Sequence, residues 1–257
     1  LLVQFSYFSA NPNKITMILI AVATSIGGVG IPLLTENYVK GDFRAAGKLV
    51  QDNLTMLVAF LLPATIGAVA IAEPLYTVFY GKPDSLALGL FILAMLQTII
   101  LGLYTVLSPM IQALFQNRKA ILYFGYGVLV KLILQVPFIY FFKAYGPLLS
   151  TTIGLMIPIV LMYKEIHVVT KFNRKTVFKR SLLTAILTFI MLLVVLLSAL
   201  ILGFVFKPNG RVTSMIYVAV IGGVGIIVYG GLGLRLRFLD RFIGSKAASL
   251  RNKFHIS

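Results

Sequence analysis

Seven long runs of almost entirely uncharged, apolar residues govern what this chain can become. They lie at about 15–34, 54–72, 86–114, 120–142, 146–163, 182–206 and 214–234. A helix rises 1.5 Å per residue, so a run of about 20 residues reaches across a hydrocarbon core about 30 Å thick. A soluble core could not hide this many such runs, and a soluble domain carries roughly 25% charged residues. Here 12% are charged and 59% are hydrophobic. The chain is therefore expected to be all-α, a polytopic transmembrane helix bundle of about seven spans joined by short loops.

The basic residues fix an orientation for such a bundle. Cytoplasmic loops collect Lys and Arg. On one side lie Lys40, Arg44 and Lys48, then Arg118 and Lys119, then six between 164 and 180, then six from 235 onward. The other side holds Lys14, Lys82, Lys143, Lys207 and Arg211. Seventeen against five predicts a cytoplasmic C-terminus and a residue 1 near the outer face. The formal net charge of +16 is thus mostly topological. A nucleic-acid partner would need a basic soluble domain, and none is visible, so no nucleic acid is expected.

Two basic stretches have helical apolar spacing. In ENYVKGDFRAAGKLVQDN, Val39, Phe43, Ala46 and Val50 recur; in FLDRFIGSKAASLRNKF, Phe238, Phe242, Ala247 and Leu250 do so among Arg241, Lys246 and Arg251. Either these lie as helices on the membrane, with anionic membrane lipids as partners, or they are a solvated linker and a frayed tail. Pro32, Pro63, Pro109, Pro137 and Pro158 fall one each in the first five spans, and the last two spans have none. Proline removes a backbone donor, which membranes tolerate where neighbours or a water-filled cavity satisfy the freed carbonyl. The expected organisation is a five-span core over 1–165, a basic linker at 166–180, an accessory helix pair at 181–236 and a basic amphipathic tail at 237–257.

The string IGGVG occurs at 26–30 and again at 221–225. No strand precedes it, so it reads as close helix packing, with duplication or a hinge as the alternatives. There is no cysteine, which excludes disulfides and thiolate metal sites. The chain opens Leu1-Leu2 without a charged leader and reads as a piece of a longer protein. A membrane-embedded glycosyl or acyl transferase needs an acid, a base or a metal. His167 and His255 lie in the basic loop and the tail. Asp42, Asp52, Asp84 and Asp240 are outside the spans, Glu36 is in a loop, and Glu73 sits at the outer end of the second span beside Pro74. No enzyme, metal site or cofactor is expected within this stretch.

What stands out is Lys131, in GYGVLVKLILQVPFIYFF, near the middle of its span. A charge at the helix centre costs roughly 2.5–3.5 kcal/mol to insert and usually faces a bundle interior or a cavity. The alternatives are an ammonium tied to helix carbonyls or one deprotonated by burial. Gln135 is at i+4 on the same face. Gln97 and Thr98, Gln112, and Thr151 and Thr152 are further polar residues within spans. A cation among amides and hydroxyls suits an anionic, hydroxyl-rich ligand such as a sugar diphosphate and repels a cationic drug. The expected binding residues are Lys131, Gln135, Gln97, Gln112 and Thr151.

Several stretches resemble one family. IAVATSIGGVGIPLLTENYVKGDF resembles the span and following loop of MurJ-type lipid II flippases and related polysaccharide transporters. SPMIQALFQNRKA is similar to that family's Leu-Gln-Gly-Leu-Gly-Lys region. GVLVKLILQ resembles the G-x-x-x-K-x-x-x-N pattern of the branch that resembles stage V sporulation protein B, with Gln135 where Asn is common. YGPLLSTTIG resembles the loop and start of the next span. The resemblance implies a fourteen-span, two-lobed transporter of the MATE-like multidrug/oligosaccharidyl-lipid/polysaccharide exporter superfamily. This chain would supply spans eight to fourteen: most of the second lobe plus two accessory helices, with the N-terminal lobe of the same chain as partner. Even-numbered spans of that family run outside to inside, as the charge count also has it. The implied function is flipping a lipid-linked oligosaccharide, an undecaprenyl-diphosphate cell-wall precursor, across the bacterial cell membrane by alternating access. Some members bind sodium in this lobe, where Lys131 places a fixed positive charge here. A multidrug or cation antiporter of the same fold would want buried carboxylates, and a membrane transferase fits less well.

Overall fold

A computed structural model describes residues 11–205 and 210–235. Among them the chain is helical apart from short turns. The helices are α1 (Asn11–Val29), α2 (Ile31–Val39), α3 (Phe43–Ala70), α4 (Ala72–Tyr80) and α5 (Ser85–Ala113). They continue with α6 (Asn117–Phe142), a 3-10 turn (Lys143–Tyr145), α7 (Gly146–Thr170), α8 (Arg174–Val205) and α9 (Arg211–Arg235). Six stretches are long and apolar enough to cross a membrane, and the fourth, Asn117–Thr170, has 54 residues. That stretch is a hairpin. Lys119 near its start pairs with Glu165 near its end, and Gly127 meets Gly154 midway. Among the described residues each of the seven expected runs is therefore almost entirely helical, and the chain is a multi-pass, all-α membrane protein.

Local chemistry explains most boundaries. Asp42, Asp84 and Asn173 cap helices by accepting from Ala45 N at 2.9 Å, Ala87 N at 2.7 Å and Thr176 N at 3.1 Å. The first run breaks at Gly30, and Pro32 sits in the first turn of α2, where its missing N–H costs nothing. Pro63, Pro109, Pro137 and Pro158 lie inside continuous helices.

The structure departs from the expected surface helix over 36–53. Gly41, at φ 75°, forms a turn between α2 and α3. Beyond it Ala46 and Val50 are fully buried, so this amphipathic stretch begins a spanning helix. The basic segment after the fifth span is also mostly helical. Helix α7 runs to Thr170 and α8 begins at Arg174, with Lys171 in a left-handed conformation at the end of α7. The expected amphipathic tail at 237–257 lies outside the described residues.

The chain divides into two compact units. The first comprises Leu1–Leu61 and Asp84–Ser181. Its core is Leu57, Leu61, Leu107, Met110, Ile111, Met162 and Ile166, all essentially inaccessible. Helix α5 is its centre, packed between α1 and α7, with α6 laid against α7. The second unit comprises Leu62–Pro83 and Leu182–Ser257. Its core is Ile71, Met191, Val195, Tyr217 and Ile221, where α9 packs on α4 and on the apolar length of α8.

The two IGGVG strings are used alike. A Cβ on Gly27 would come within 2.6 Å of Val106 Cγ2, and one on Gly225 within 3.2 Å of Val195 Cγ2, whereas Gly28, Gly222 and Gly223 face open space. In each string one or two glycines permit close approach of helices, the use expected of small residues in membranes.

Candidate functional site

The site is built on the α6–α7 hairpin. Its two helices cross backbone to backbone: a Cβ on Gly127 would lie 2.6 Å from Gly154 O and 2.8 Å from Pro158 Cδ. Such an approach leaves no room for side chains at the crossing and pins the register of the pair. Lys131 follows Gly127 by one turn of α6, and a Cβ on Gly154 would meet Lys131 Cβ at 2.8 Å. The lysine therefore leaves the hairpin at its tightest point. It is 14 residues from the start of α6 and 11 from its end, near mid-depth.

Lys131 is half-buried and makes no hydrogen bond or ion pair among the described residues. The alternative of an ammonium tied to helix carbonyls is therefore not the arrangement adopted. The nearest carboxylate along the hairpin, Glu165, is engaged elsewhere: Lys119 Nζ donates to its Oε1 at 2.6 Å and Tyr123 Oη to its Oε2 at 3.2 Å. That cluster lies 12 residues, about 18 Å along the helix, from Lys131.

The other expected residues are placed as follows. Gln135 is half-buried one turn beyond Lys131. In the antiparallel register Thr151 lies close to that level on α7, half-buried, its hydroxyl donating to Pro147 O at 2.7 Å. Its oxygen can still accept. Gln97 is buried in α5 and donates through Nε2 to Leu148 O at 3.1 Å, joining α5 to the start of α7. Gln112 is exposed at the far end of α5, 15 residues or about 22 Å from Gln97, and donates to Ser108 Oγ at 3.3 Å. Lys131 and Gln135 thus lie one turn apart on α6, Thr151 lies three residues before Gly154 on α7, Gln97 is tied to the start of α7, and Gln112 lies at another depth.

Three features were missed in the sequence: the Gly127–Gly154 crossing with Pro158, Glu165, and the Asp52–Arg180 pair at 2.8 Å. Glu165 could have been found from hairpin symmetry. It and Lys119 lie at similar distances from the turn at 143–145, so an antiparallel pair brings them level. Among the described residues no group of three or more His, Cys, Asp or Glu side chains could hold a metal ion.

These observations define a polytopic helical membrane protein with a lysine near the middle of a span that has no ion-pair partner among the described residues. No family model matches the chain. The chain is similar to the curated protein named lipid II flippase MurJ from Bacillus subtilis (strain 168), at 29% identity over 239 residues. That is 91% of this chain and 44% of the relative. The fold is similar to the solved structure titled lipid II flippase MurJ, inward closed conformation, with a TM-score of 0.68 and 20% identity over 93% of this chain and 47% of that one. The likeness to MurJ-type flippases read from the motifs is shown by this match, and the chain spans under half the length of either relative.

Proposed function

We propose that this chain is part of a flippase that carries an undecaprenyl-diphosphate-linked cell-wall precursor across the bacterial cytoplasmic membrane by alternating access. The observation that carries the reading is the 29% identity to a lipid II flippase spread over 91% of the chain. A drug or cation antiporter is disfavoured by charge, since the mid-depth group is a lysine that pairs with no carboxylate among the described residues. The chain corresponds in this reading to the C-terminal half, and a second lobe completes the cavity.

Within that reading Lys131 holds the diphosphate, Gln135 and Thr151 contact the sugar or phosphate oxygens beside it, Gln97 shapes the wall, and Gln112 meets the substrate at the inner mouth. An ammonium in a partly desolvated site gives charge-assisted bonds to phosphate. The basic excess supports a cytoplasmic connection at 171–173 and a cytoplasmic C-terminus.

Two experiments test this. The intact protein, expressed in cells depleted of their lipid II flippase, restores growth; failure to do so with normal membrane accumulation overturns the substrate assignment. A cysteine at exposed Asn173 resists an impermeant thiol reagent added to intact cells and reacts in inverted vesicles; ready labelling from outside overturns the orientation.

A further inference from the structure

A cavity of about 360 Å³ lies in the first unit, away from Lys131. Leu54 and Val58 of α3, Leu103 and Leu107 of α5, Ile159 of α7 and Val177 of α8 supply its apolar walls. At one end the lining changes character, to Tyr163, Lys164 and Arg174. Both cations are exposed, and neither is in an ion pair among the described residues. The Arg174 guanidinium carbon lies 6.0 Å from the centre of the Tyr163 ring, which steadies it over the opening. Glu165, the one carboxylate next to these groups in sequence, is engaged by Lys119 and Tyr123 of α6.

The dimensions match half a bilayer. Lys164 lies 18 residues, about 27 Å, from the start of α7, close to the edge of a core about 30 Å thick. Leu103 lies 10 residues, about 15 Å, from the end of α5, at mid-membrane. The cavity therefore runs from headgroup level to the bilayer centre, on the side that carries the basic excess.

We infer that this cavity binds one acyl chain of an anionic glycerophospholipid of that leaflet, with its phosphate held between Lys164 and Arg174. Charge complementarity selects the lipid. Two cations without a carboxylate accept a phosphodiester, and they repel the ammonium of a zwitterionic headgroup. The apolar walls take the hydrocarbon, at about 0.8 kcal/mol per methylene removed from water. The lipid is a resident of the protein and is not transported. This inference stands independently of the flippase reading.

Native mass spectrometry of the intact protein tests it, with dioleoyl phosphatidylglycerol and dioleoyl phosphatidylcholine titrated separately. One molecule of phosphatidylglycerol binds in preference to phosphatidylcholine. The double substitution Lys164→Gln, Arg174→Gln weakens it on the order of 25-fold, from about fivefold for each cation near the headgroups. The charge-matched double substitution Lys175→Gln, Lys179→Gln leaves it within about twofold. Val58→Phe fills the cavity and lowers lipid occupancy without lowering the melting temperature. Equal losses in the two charge-matched doubles mean diffuse attraction and overturn the site. So does binding of phosphatidylcholine with equal affinity. Displacement of phosphatidylglycerol by a short-chain prenyl diphosphate assigns the cavity to the transported lipid and also overturns the proposal.

Discussion

The α6–α7 hairpin and the α8–α9 hairpin are made of similar material, long apolar helices with glycines at their contacts, yet they are held together differently. The first crosses glycine on glycine, with Pro158 against Gly127 and a lysine leaving the crossing at mid-depth. It is closed near its open end by the Lys119–Glu165–Tyr123 cluster. The second packs Val195 and Met191 over Gly225, with Tyr217 Oη donating to Ala199 O at 3.0 Å and Tyr229 hydrogen-bonded to Thr184. Between Ser181 and Phe206, and between Val212 and Leu234, it carries no charged residue and no proline. A hairpin that needs only to pack can be uniformly apolar. One that carries proline and an ionisable group at depth bears costs that packing alone does not explain.

The largest expected effect bears on the crossings. Gly154→Leu forces a side chain into the backbone of α6 and destabilises the protein by about 3 kcal/mol, the upper range of overpacking. Gly222→Leu on α9, where a Cβ meets open space, stays within about 0.5 kcal/mol. Unfolding midpoints of the intact protein in mixed micelles decide this. Equal effects at the two positions would erase the difference in packing between the hairpins.

Next comes Lys131→Met, which removes the charge and keeps much of the volume. In the flippase reading it loses a charge-assisted phosphate contact, about 1.5–3 kcal/mol, or roughly tenfold to a hundredfold in substrate affinity. Folding and membrane accumulation stay normal, and Lys131→Arg keeps part of the function. Transport equal to the parent would make the lysine a packing feature. A variant that no longer accumulates folded would place it among the structural residues.

The sequence showed much of this contrast because two of its signals are compositional. Prolines in each of the first five runs and in neither of the last two, and a lysine among aliphatic residues, need no partner to be noticed. All-apolar runs gave the number of spanning segments for the same reason. Pairwise information was not legible. That Gly127 and Gly154 touch, or that Glu165 reaches Lys119, depends on the register of two helices 26 and 25 residues long, which periodicity on either helix leaves open. The 36–53 stretch was misread because an amphipathic period is the same for a helix lying on a membrane and for one whose first turns enter a bundle. Gly41 in its left-handed turn separates the two cases. Gln97 was read as a ligand because a mid-span amide attracts notice, and its carbonyl partner, Leu148, is invisible without the fold.

The smallest effect is expected in the second hairpin. Tyr217→Phe removes the hydroxyl that reaches Ala199 O and keeps the ring in its buried place against Ile221 and Met191. Interhelical hydrogen bonds in membranes are worth on average about 0.6 kcal/mol, because the separated helices also find partners. The Ala199 carbonyl retains its place in the α8 backbone ladder, so losing the second donor leaves no bare acceptor. The change should lower the unfolding midpoint slightly and leave transport unchanged within error. Both readouts are needed. A loss of stability several times larger would show that the α8–α9 pair depends on its polar tie as the α6–α7 pair depends on its glycines. A loss of transport with normal stability would move the second hairpin from packing to mechanism, and the contrast between the two would no longer hold.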